Sequence, residues 1–114
     1  TGNRQDQVII AATQGKGMKK AEKDLLMIKF NGMLNGAIAN FQNIQSRMQR
    51  YQDTLLAHAK LNTEASVQGY QVNTNNFEQV IKAFMDEQAL ELEFHQLHFQ
   101  GLKTLARIRY FQAL

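Results

Sequence analysis

Apolar residues recur along this chain at helical spacing and hold that spacing for most of its length. Phe30, Leu34, Ala37, Phe41, Ile44, Met48, Tyr51 and Leu55 succeed one another at intervals of 4, 3, 4, 3, 4, 3 and 4, which is the a/d seam of a coiled coil. The helical pattern covers residues 18–67, and fifty residues at about 1.5 Å each make a rod of roughly 75 Å. Residues 68–76 break it. Gly69, Asn73, Asn75 and Asn76 stand there, and Gly and Asn tolerate the positive φ that a reversal needs. Thr74, Asn75 or Asn76 is then the N-cap of the returning helix.

Over residues 77–112 the periodicity returns as two stripes. Ala83, Leu90, Phe94, Leu97, Gly101, Ile108 and Phe111 form the first, and Ile81, Phe84, Leu92, Phe99, Leu102 and Ala106 the second. The first arm also carries apolar residues off its seam, at Leu26, Met33, Ile38 and Leu56. A two-helix hairpin buries one face per helix, so the extra stripe predicts lateral assembly. The expected fold is all-α: a long antiparallel helical hairpin, or coiled coil, that assembles into a bundle. Its arms are residues 18–67 and 77–112, and its tip is residues 68–76. Residues 1–17 hold one short apolar run at 8–12, closed by Gly15 and Gly17; the run fits a short strand, an extended arm or a frayed helix start, and the segment is expected as an extended or disordered arm.

Composition strengthens this picture. The 114 residues include no Pro, where average usage is about 5%, so few turns and long elements are expected. Nine Asn and fourteen Gln supply an amide-rich surface. The absence of Cys removes disulfide scaffolds, thiolate nucleophiles and Cys-ligated metals. No run of eighteen apolar residues occurs to span a bilayer. A pI near 9.3 rests on a net charge of only +3, too small an excess to point to nucleic acid. The chain starts at Thr1 without Met, which suggests a processed protein or an excised piece.

Motifs for catalysis are missing, and no enzyme is expected. Neither phosphate-loop pattern occurs, nor H-E-x-x-H, nor G-x-S-x-G. The best metal candidate is Glu91, His95 and His98, spaced i, i+4, i+7, with His58 across the hairpin; imidazole and carboxylate would suit Zn or Cu. The same residues also fit the exposed polar face of an ion-paired helix. Lys16, Lys19, Lys20 and Lys23, with Lys103, Arg107 and Arg109, form basic clusters at the end away from the turn, read as a solvated rod end or a patch for anionic lipid headgroups or a polyanion. Phe94, Phe99, Tyr110 and Phe111 read as core, and the methionines as packing filler. Gly32 and Gly36 are read as small residues that let a crossing helix approach.

The segment around the turn carries a resemblance. Glu64-Ala65-Ser66-Val67-Gln68-Gly69-Tyr70-Gln71-Val72-Asn73-Thr74, then Phe77-Glu78-Gln79-Val80-Ile81-Lys82-Ala83 and Glu87-Gln88-Ala89-Leu90-Glu91-Leu92-Glu93, resembles the second helical hairpin of the TolC-type outer-membrane efflux proteins. Upstream, residues 34–61 are similar to the family's incoming helix, and residues 97–114 to its closing helix. The likeness covers roughly residues 25–114. It implies a homotrimeric channel through outer membrane and periplasm, whose protomers each contribute four barrel strands and two such hairpins. Residues 71–76 would be the periplasmic tip that meets an adaptor (membrane fusion) protein, with Gly69, Tyr70, Val72, Asn73 and Thr74 as its docking residues. Asn73 stands where the family usually has Gly, and Gln79 and Lys82 where many members place aperture Asp residues.

The expected function is therefore a periplasmic α-helical tunnel segment of an outer-membrane efflux channel. It needs no cofactor, works with an adaptor and indirectly with an inner-membrane pump, and binds no nucleic acid. A stand-alone helical-bundle module that dimerises through the second stripe is the alternative. A metal sensor or carrier using Glu91, His95 and His98 is a third.

Overall fold

The computed structural model describes residues 2–114. Helix α1 (Gly2–Arg50) leads into a single π turn (Tyr51–Leu55), then helix α2 (Leu56–Gln71), and helix α3 (Phe77–Ala113) returns. The described residues contain no strand. The chain divides into two units, Thr1–Gly36 and Ala37–Leu114.

The first unit is helix from Gly2 onward, which corrects the expectation of an extended or disordered arm at residues 1–17; Thr1 itself lies outside the described residues. Ala11, Ala12, Gln14 and Lys16 are strong helix formers, and glycine costs about 1 kcal/mol relative to alanine. That is too little to stop a helix already nucleated downstream, because extension adds one bond per residue fixed. Within this unit nothing lies within 4 Å of a Cβ built at Gly15, Gly17 or Gly32. The close crossing expected at Gly32 and Gly36 is therefore not formed there. Val8, Ile9, Ile10, Leu25, Leu26 and Ile28 all stand exposed.

The second unit is the antiparallel hairpin. Its arms meet where Ile44 faces Gly101, Tyr51 faces Glu93 and Thr63 faces Ala83. The core is one narrow seam: Ala37, Ile44, Val80, Ala83, Leu97 and Ile108 are buried, and no large side chain is wholly enclosed. Along α3 the inward positions run Val80, Ala83, Glu87, Leu90, Phe94, Leu97, Gly101, Thr104, Ile108 and Phe111, a heptad sequence without interruption. Every residue of the expected first stripe lies on it. A Cβ at Gly101 would stand 3.2 Å from Ile44 Cγ2, so the glycine admits the isoleucine.

On the first arm the seam holds through Ala37, Phe41, Ile44, Met48 and Tyr51, then departs from expectation. Leu55 is 42% exposed, and Leu56 takes the inward position instead. The cause is the π turn, whose closing bond runs from the Leu56 N–H to the Tyr51 carbonyl, five residues back. One extra residue in that turn moves the seam on by one. The second stripe remains outside: Ile81, Phe84, Leu92, Phe99 and Leu102 are each exposed by 43–61%. Lys103 Nζ lies 5.2 Å from the Phe99 ring centre and covers part of that end.

Candidate functional site

The tip is built by two helix ends sharing few residues. α2 stops at Gln71, Val72 comes next as its C-cap, and Asn73 adopts φ 63°, the left-handed conformation that ends many helices. The Thr74 N–H donates to the Gly69 carbonyl at 2.8 Å and the Asn73 N–H to the Tyr70 carbonyl at 3.1 Å. These two bonds are the Schellman pair, satisfying carbonyls that the helix end leaves open. Gly69 is the hub, since its carbonyl also accepts from the Asn75 N–H at 3.1 Å and from Thr74 Oγ1 at 3.0 Å.

Gly69 itself lies inside α2. Its role is spatial, because a Cβ there would run into the Asn75 side-chain amide, whose Nδ2 donates to the Ser66 carbonyl at 3.4 Å. The loop folds back across the bare helix at that point. Asn76 then starts α3: its Oδ1 accepts from the Gln79 N–H at 2.9 Å, and Gln79 Oε1 accepts from the Asn76 N–H at 3.0 Å. This is a capping box. Of the three N-cap candidates, Asn76 takes the place, and Gln79 is its partner.

A rigid backbone thus presents an apolar apex. Val72 is 67% exposed, and Tyr70, half-exposed, packs on Phe77 with ring centres 5.7 Å apart. Gly69, Tyr70, Val72, Asn73 and Thr74 lie together at this apex, and Phe77, which the sequence reading leaves out of the group, joins them through its contact with Tyr70. Periodicity treats Phe77 only as the first residue of a helix; its place straight after the Asn76 cap is the signal that could have found it.

The metal grouping expected at Glu91, His95 and His98 is not formed. No group of three or more His, Cys, Asp or Glu side chains among the described residues is arranged to hold an ion. Seven residues of helix separate Glu91 and His98 by about 10 Å along the axis, and His58 is exposed on the other arm. The His95 and His98 rings lie instead beside Phe94, with ring centres at 5.9 and 6.5 Å. Of the basic residues, Lys16, Lys19, Lys20 and Lys23 lie on α1 in the first unit, and Lys103, Arg107 and Arg109 on α3 in the second.

No known protein family, curated protein or solved structure matches this chain. No helix among the described residues is long and apolar enough to cross a membrane. One hydrogen bond couples a titrating group to the opposite arm: Tyr51 Oη donates to Glu93 Oε2 at 3.0 Å, and the carboxylate holds the phenol above its ordinary value.

Proposed function

We propose that this chain is a periplasmic tunnel hairpin of an outer-membrane efflux channel and that its tip docks the helical hairpin of an adaptor protein. The observation that carries the reading is the apex, where apolar Val72 and Tyr70 stand exposed on a backbone tied by the Gly69 carbonyl. A preorganised apolar knob loses little freedom when it enters a groove. The exposed stripe along α3 supports the second half of the reading, a homo-oligomer in which neighbouring hairpins pack side by side. The order of residues around the tip, similar to the TolC-type hairpin, joins the two.

The test replaces Val72 by Asp and Thr74 by Lys in one chain. Adaptor capture is expected to be lost while helicity is kept and Tm falls only slightly, since both side chains are exposed and the Thr74 hydroxyl makes only one of the three bonds to the Gly69 carbonyl. Undiminished capture by the double variant would refute the tip assignment.

A further inference from the structure

We propose that the π turn Tyr51–Leu55 is a register joint: it takes up one surplus residue in the first arm so that the tip-bearing segment meets α3 in phase, and Tyr51 and Glu93 clasp it across the hairpin.

The two arms do not match residue for residue. Below the turn the inward positions are Ala37, Phe41, Ile44, Met48 and Tyr51, and above it Leu56, Ala59, Thr63 and Ser66. Both stretches keep spacings of three and four, but the step from Tyr51 to Leu56 is five. α3 contains no such step from Val80 to Phe111. A continuous α-helix on the first arm would place Leu55, His58, Asn62 and Ala65 inward after Tyr51, and all four are exposed. That packing would press an imidazole and an amide into an apolar seam, where nothing compensates their lost hydration. The wider turn avoids it, since one residue corresponds to about 100° of helix rotation and the π turn absorbs that rotation locally.

Tyr51 is where the seam makes its jump, and it is also the residue that reaches across to α3. Its hydroxyl bond to Glu93 fixes the last seam position before the surplus residue. The joint therefore sets the direction in which Tyr70 and Val72 leave the arm, whatever the tip docks.

Two single-residue deletions in the full chain test this. Thr54 lies exposed in the π turn, and Gln96 lies exposed on α3, whose seam has no residue to spare. Deleting Thr54 restores a step of four from Tyr51 to Leu56, and the variant is expected to melt at or above the wild-type temperature by circular dichroism. Deleting Gln96 is expected to lower Tm by ~5 °C or more. Equal losses from the two deletions, or no loss from either, would overturn the joint. For the clasp, Tyr51→Phe is expected to speed amide exchange at Leu56 several-fold while leaving Leu97 unchanged. Unaltered exchange at Leu56 would remove Tyr51 and Glu93 from the device.

Discussion

Tyr51 donates its phenolic hydrogen to Glu93 Oε2 across 42 residues of sequence, and this bond ties the π turn of the first arm to α3. The direction of the phenol's shift fixes the pH dependence. The Glu93 carboxylate raises the Tyr51 phenol above its ordinary value of 10.0, so the protonated, donating form is favoured in the folded hairpin. The contribution is complete below that ordinary value and is lost as pH climbs through the raised one. Wild type and Tyr51→Phe are expected to differ in Tm by a constant amount near neutrality and to converge in strong alkali. Spectrophotometric titration checks the same point, because the variant should lack a tyrosinate component that rises late.

Thr63 is the buried polar residue of the seam, its single hydroxyl hydrogen shared between the Ala59 carbonyl at 3.0 Å and the Ala83 carbonyl at 3.3 Å from Oγ1. Both carbonyls lie inside helices, so neither depends on the hydroxyl for a partner. Thr63→Val is expected to cost no more than about 0.5 kcal/mol in urea unfolding, because polar and apolar atoms of equal shape exchange at little loss when no group is stranded. Thr63→Ser keeps the hydroxyl and removes a buried methyl, and should cost about 0.8 kcal/mol.

Asn73 occupies the left-handed conformation at the end of α2. A β-carbon there costs roughly 1–2 kcal/mol unless the side chain is Asn or Asp. Asn73→Ala should therefore destabilise the hairpin by about 1 kcal/mol, and Asn73→Gly should leave it equal or more stable. Thermal melts of the two variants give the comparison directly.

Gly101 and Gly32 provide a matched pair, since Gly101 stands against Ile44 and Gly32 has open space about it within its unit. Gly32→Ala is expected to raise stability or helicity by about 0.5–1 kcal/mol through propensity alone. Gly101→Leu overfills the crossing and should cost about 1–3 kcal/mol. Adding Ile44→Ala to Gly101→Leu should recover part of that loss, whereas the same addition to Gly32→Ala should recover nothing.

Much of the hairpin is legible in single residues. The run from Ala37 to Tyr51, the stripe from Ala83 to Phe111 and the exposed second stripe on α3 are set by spacing, because burial repeats with the helix turn. The tip is legible too, since the positive φ at Asn73 and the cap at Asn76 are what those side chains favour. Residues 2–17 mislead because two glycines and a polar stretch resemble a linker, yet a helix with no proline continues through them. The grouping of Glu91, His95 and His98 is not formed, since the two imidazoles lie beside Phe94 instead, and no spacing along one helix reveals where a ring settles.

By itself the sequence determined the helices, their reversal at residues 72–76, and the inward face of α3, all set by local propensity and periodicity within one segment. The tertiary structure alone decided that the seam passes from Tyr51 to Leu56 rather than Leu55, and that Gly69 is bare to admit Asn75 while Gly101 is bare to admit Ile44. Those choices depend on atoms brought from the opposite arm or from across the turn. A heptad pattern describes which face is apolar, but the phase between two arms is set only when each has the other to pack against.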